Sequence, residues 1–212
     1  MSLIEVRNVH KSYKGLTIFQ DIDLTIEKGK IYGIVGPNGS GKSVLFKLIC
    51  GFVRPDNGEI LIGGEYLHKD ITFPKNFGII IDRPGYLGNK TGFENLKSLA
   101  MIQNKIDDEQ IINTMNLVGL QSTAEQKVRK YSLGMKQKLA LAQAFMENQE
   151  VLILDEPFNA LDSESVEKLR SLLLAYREEG KTIIMTSHNQ EDIDLLCDEV
   201  YRINKFKLES LY

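Results

Sequence analysis

Residues 36 to 43 read Gly-Pro-Asn-Gly-Ser-Gly-Lys-Ser, which fills the pattern G-x-x-x-x-G-K-[ST] with Gly36, Gly41, Lys42 and Ser43. The chemistry this spacing serves is phosphate binding. Glycines let successive backbone N–H groups point inward, making an anion nest at the positive end of a helix dipole. Lys42 adds a mobile ammonium for the β- and γ-phosphates, and the Ser43 hydroxyl suits Mg²⁺. Gly36, Pro37, Asn38, Gly39, Ser40, Gly41, Lys42, Ser43 and Val44 are therefore candidate contacts for a nucleoside triphosphate. Much further along, the apolar run Val151–Leu154 ends in Asp155-Glu156. A strand there carries Asp155 to its C-terminal end, where a carboxylate can hold Mg²⁺ directly or through water. Glu156 can face the γ-phosphate and orient or deprotonate the attacking water. His188 ends another apolar run, and on the same edge its imidazole can contact the γ-phosphate or that water. Lys42, Glu156 and His188 are the candidate catalytic residues, and Ser43 and Asp155 candidate metal ligands.

The elements that must position these groups are legible around them. Ile31–Val35 is a short, β-branched apolar run that reads as a buried strand. Behind the loop, Ser43–Cys50 is apolar at helical spacing and stops at Gly51, a helix C-cap signal. Ahead of it, residues 3–10 and 16–27 read as strands with Lys-Gly turns at 14–15 and 28–29. They predict an antiparallel ribbon beside the phosphate loop. Tyr13 stands near its tip, where the ring either stacks on a purine or lies half-packed on the surface. Pro55-Asp56-Asn57-Gly58 predicts a turn, and residues 59–64 a short strand. Residues 76–82 predict a buried strand ending in the loop Asp82-Arg83-Pro84-Gly85. From about 91 to 148 the period turns helical, with Ser132 or a neighbour capping the last helix. This block reads as a subdomain, roughly 88–148, inserted in the nucleotide-binding core. Afterwards come a helix from 163 to 177 closing at Gly180, a strand through 181–188, a helix near 190–198 and two closing strands. His10 and His68 are read as structural.

Composition narrows the class. The 212 residues are 42% hydrophobic and 26% charged, with a formal net charge of −3, which offers no basic field for nucleic acid. No apolar run approaches the roughly 20 residues a bilayer-spanning helix needs. The opening residues lack the basic and apolar regions of a secretory leader, so a cytosolic location, or one at the cytosolic face of a membrane, is expected. Cys50 and Cys197 lie far apart inside apparent helices and read as buried free thiols.

Over nearly all of its length the chain resembles the ATP-binding subunit of an ATP-binding cassette (ABC) transporter. Besides the two phosphate-site motifs, Tyr131–Met146 is similar to that family's signature and its helix. Asn159–Asp162 looks like the family's D-loop, Thr186–His188 its switch histidine and Tyr13 its adenine-stacking aromatic. The resemblance implies an α/β fold: a P-loop, RecA-like core with an antiparallel β-subdomain and an inserted helical subdomain. Residues 1–212 are then one ATP-binding domain. It further implies ATP and Mg²⁺ as cofactors and a separately encoded transmembrane permease as partner, with the chain cytoplasmic and peripheral at the inner face of the membrane. A second cassette, in a homodimer or heterodimer, would cover the bound ATP with its Ser132 and Gly134, so both count as nucleotide contacts. Two positions depart from the family pattern. Leu133 and Met135 replace a glycine and the glutamine of the signature, in a form similar to the drug, bacteriocin and lantibiotic exporter branch. Asp82 falls where the family's Q-loop has glutamine; it adds a third candidate metal ligand and a charge that repels the γ-phosphate unless the metal offsets it.

Other readings stand beside this one. A soluble ABC-type ATPase of translation or DNA repair usually carries two cassettes or long coiled-coil insertions, and this chain has neither. A GTPase needs N-K-x-D, and Asn89-Lys90-Thr91-Gly92 lacks the Asp. A regulatory cassette with little turnover is kept open by Asp82 and Leu133.

Overall fold

The computed structural model describes residues 2–63, 65–66, 73–82, 85–120 and 125–212. His68, and Arg83 and Pro84 of the expected loop, lie outside them. Two sheets and a group of helices build the fold. Strands β1 (Ser2–Tyr13), β2 (Leu16–Glu27), β4 (Asn57–Ile62) and β5 (Glu65–Tyr66) form an antiparallel sheet in the order β2-β1-β4-β5. The expected ribbon is β1–β2, and β4 extends it. Strand β4 begins at Asn57, two residues before the sequence reading put it. Gly58, at φ +84°, lies where a Cβ would strike the Arg7 and Asn8 carbonyls, beside a register shift in β1. Turn-type residues therefore serve a bulge here.

The second sheet runs β10-β9-β3-β8-β7-β6. Its strands are β3 (Ile31–Val35), β6 (Phe77–Ile80), β7 (Val151–Leu154), β8 (Thr182–Met185), β9 (Glu199–Asn204) and β10 (Lys207–Ser210). β9, β3, β8, β7 and β6 are parallel neighbours, and β10 pairs antiparallel to β9. β7 and β8 are buried along their whole length, as parallel strands covered on both faces must be. Helix α1 (Lys42–Ile49) packs with the apolar side chains of the antiparallel sheet in one core. The other face is covered by α5 (Ser163–Glu178), α6 (Gln190–Leu196) and the C-terminal half of α4 (Leu133–Phe145). With all these strands parallel, the C-terminal ends of β3, β8, β7 and β6 meet at one edge, where ligands bind in open α/β sheets.

Helices α2 (Gly92–Gln103), α3 (Asp108–Leu117) and α4 surround an apolar cluster of their own, including Leu96, Ile111, Met115, Tyr131 and Leu139. Thr91 and Glu94 form a capping box at the start of α2. The Ser132 hydroxyl accepts the Met135 N–H at 3.1 Å and caps α4, as expected. Cys50 and Cys197 are free, and each stands just past a helix end. Cys197 is only partly buried, but it is why β3 carries a glycine: a Cβ at Gly33 would sit 2.9 Å from its Sγ. No described helix is long and apolar enough to cross a membrane.

Candidate functional site

The phosphate loop leaves β3 at Gly36 and turns into α1 at Lys42. Gly39 and Gly41 take φ of +77° and +110°, left-handed values that a glycine adopts without strain. Gly41 is also pressed from above: a Cβ there would lie 2.8 Å from Ile18 and 2.9 Å from Phe19, so the ribbon roofs the loop. The Lys42 ammonium donates to the Gly36 carbonyl at 2.8 Å and the Pro37 carbonyl at 3.3 Å, which holds it over the loop. A cleft of about 300 Å³ opens there, lined among others by Asn38, Gly39, Ser43, Asp155, Glu156 and His188.

Three strand ends feed this cleft. The Ser43 hydroxyl donates to Asp155 Oδ2 at 2.6 Å, joining the loop to the end of β7. Two hard oxygen donors, a hydroxyl and a carboxylate, suit Mg²⁺ completed by phosphate oxygens and water. Thr186, fully buried just past β8, donates its hydroxyl to Asp155 Oδ1 at 2.8 Å. The Thr186 hydroxyl oxygen in turn accepts the Glu156 N–H at 2.8 Å. Thr186 thus fixes both acids, a role the sequence reading missed although the residue stood in the switch motif. The strand itself ends at Met185, so His188 rides on the loop after β8.

The Glu156 carboxylate is held by that loop. The His188 N–H donates to Oε2 at 3.2 Å, and His188 Nε2 lies 3.2 Å from Oε1 without hydrogen-bond alignment. Oε1 is therefore buried without a hydrogen-bond partner among the described residues. Burial raises the Glu156 pKa above the usual carboxylate range, with Asp155 adding to the rise, while His188 and Lys42 pull it back. A carboxylate so placed is a stronger base than a solvated one, and it faces the phosphate cleft.

The other predicted residues are spread more widely. Tyr13 is 41% exposed, with the Lys11 ammonium 5.0 Å from its ring centroid, and it does not line the phosphate cleft. Ser132 and Gly134 start α4, away from the cleft of their own chain, and the neighbouring Leu133 is 65% exposed. Asp82 faces a separate groove of about 500 Å³ that Asp155 and Glu156 also reach. One oxygen of its carboxylate pairs with Lys47 of α1 at 2.6 Å. Nothing in the local sequence marked Lys47 as that partner.

A glycine-rich nest, a strand-borne Asp-Glu pair and a switch histidine on a parallel sheet define a P-loop nucleoside triphosphatase. Residues 19–159 match the family model described as ABC transporter. An ABC transporter ATP-binding protein of Bacillus subtilis, YybJ, is 45% identical over 208 residues, 98% of this chain and 95% of that protein. The lantibiotic transport ATP-binding protein SrtF of Streptococcus pyogenes is 33% identical over 97% of this chain and 89% of its own length. The fold is that of the ATP-binding cassette MJ0796 in its dimeric post-hydrolysis state with ADP and Pi, at a TM-score of 0.87 and 22% identity over 99% of both chains. The chain belongs to the ABC transporter family, as one of its ATP-binding, ATP-hydrolysing subunits.

Proposed function

We propose that this ATPase subunit powers a separately encoded transmembrane permease that exports peptide antibiotics or related drugs. It works cytoplasmically, peripheral at the inner face of the membrane, as one ATP-binding domain spanning 1–212 with its helical subdomain within roughly 88–148. The observation that carries this reading is the convergence of Lys42, Ser43, Asp155, Glu156 and His188 on one cleft. The export direction draws on the SrtF likeness and on the Ser-x-Gly-Met signature.

In this reading the loop amides and Lys42 bind the phosphates, and the open face of Tyr13 stacks on adenine. Glu156 accepts the proton of the attacking water, oriented by His188. Ser43 and Asp155 hold Mg²⁺, which supplies charge neutralisation at the phosphate oxygens. Asp82 stays the partner of Lys47, which offsets the repulsion an extra carboxylate would bring to the γ-phosphate. A second cassette completes the site with its own Ser132 and Gly134.

Two measurements test this. Glu156→Gln should slow phosphate release by about 10²-fold or more, and a parental rate would remove the role given to Glu156. The tagged chain, pulled from detergent-solubilised membranes of its own organism, should bring a polytopic membrane protein in stoichiometric amount. Recovery of ribosomal or nucleic-acid proteins instead, with ATP turnover intact, would favour a soluble ATPase.

A further inference from the structure

Glu156 sits at φ +53°, a left-handed conformation that is unfavourable for a non-glycine residue and persists only where surrounding contacts enforce it. Its N–H is held by Thr186 and its carboxylate by the His188 loop. Its carbonyl accepts the Asn159 N–H at 3.2 Å from within the same loop. One further contact comes from a different part of the fold. The Gln137 side chain, on α4, donates Nε2 to the Glu156 carbonyl at 3.2 Å and to the Pro157 carbonyl at 2.9 Å. Helix α4 lies close enough to enforce this: a Cβ at Gly134, one turn earlier, would come within 2.7 Å of the Ala160 carbonyl oxygen.

We propose that Gln137 is a positioning residue for ATP hydrolysis, holding the peptide groups after Glu156 so that the carboxylate keeps its aim at the cleft. Hydrolysis, and not ATP binding, then depends on where α4 sits relative to the parallel sheet. Any partner that moves the helical group adjusts the base directly, through one amide. This inference rests on the role given to Glu156.

Gln137→Met keeps the length and bulk of the side chain and removes both donated hydrogen bonds, and Gln137→Ala removes the side chain. Rates are taken per nucleotide-binding-competent molecule, so that loss of folded protein does not count. Both variants should lose about tenfold or more in kcat while the KM for ATP stays within about twofold. Parental kcat in Gln137→Met, or a KM that rises in step with the loss of kcat, overturns the proposal. Glu156→Gln is assayed beside them. If it is inactive while the Gln137 variants match the parent, this inference alone fails; if it turns over at the parental rate, the role of Glu156 fails and this inference with it.

Discussion

Asp56 holds the start of β4 to the end of β1 with a single carboxylate. It accepts from Lys11 Nζ at 2.6 Å, from the Ser12 N–H at 2.7 Å and from the Ser12 hydroxyl at 2.9 Å. These donors, Lys11 first, draw its pKa from an ordinary 3.8 down to about 2. The folded state therefore prefers the ionised form more strongly than the unfolded chain does. Its contribution is whole above about pH 4 and is lost as pH falls towards 2. Asp56→Asn should melt below the parent at neutral pH and show a shallower loss of Tm between those two values. Parallel curves for the two proteins would show that the carboxylate carries no such linkage. Residues of this kind mark the limit of what a sequence shows. Lys42, Ser43, Asp155, Glu156 and His188 are legible because each stands in a short local pattern with chemistry attached. Asp56 reads only as a turn residue, because its partner Lys11 lies 45 positions earlier. Thr186, Lys47 and Gln137 go unread for the same reason: each acts on a residue far off in the chain that only the fold brings near.

Element types follow closely from periodicity, since strands buried on both faces are continuously apolar and the helices after the phosphate-loop helix carry side-chain caps at their starts. Boundaries are less legible where tertiary packing decides them, as at the bulge beside Gly58 or at Met185, where β8 stops before the histidine it was expected to carry. Glycines inside strands are a second instance. Gly78 stands in the middle of β6, where a glycine by itself weakens a strand. In the fold it is where α4 docks: a Cβ there would run into the Ala144 carbonyl and lie 2.8 Å from Leu152. The helical group is thus seated on the parallel sheet by a contact only glycine permits. Gly78→Ala should destabilise the protein by about 1–3 kcal/mol through overpacking. Because backbone is the obstacle, a side-chain rotation cannot relieve it. A denaturant midpoint that moves by less than about 0.5 kcal/mol equivalent would mean that α4 shifts freely to make room.

For the whole molecule, the arrangement of surfaces follows from where the sheet edge and α4 point. The phosphate cleft opens at the C-terminal edge of the parallel sheet, while Ser132, Leu133 and Gly134 stand exposed or half-exposed at the start of α4 without lining it. In the proposed head-to-tail pair, this helix start meets the triphosphate held by the partner, so ATP joins the two copies. Ser132 permits a clean test, because it has two separable tasks. Its hydroxyl caps α4 within its own chain, and aspartate caps helices as well as serine does. Ser132→Asp therefore leaves the monomer intact but brings a negative charge up to the partner's phosphates, where Coulomb repulsion of like charges in a water-poor interface is strong. In a Glu156→Gln background, where hydrolysis is blocked, ATP should drive the parent to the mass of a dimer in size-exclusion chromatography with light scattering. The Ser132→Asp version should stay monomeric, keep the parent's melting temperature in the absence of ATP, and still bind ATP at protein concentrations too low for dimers with the affinity the parent shows there. A dimer of equal strength in both would mean that the copies meet through some other face, and the completion of each site by its neighbour would have to be abandoned.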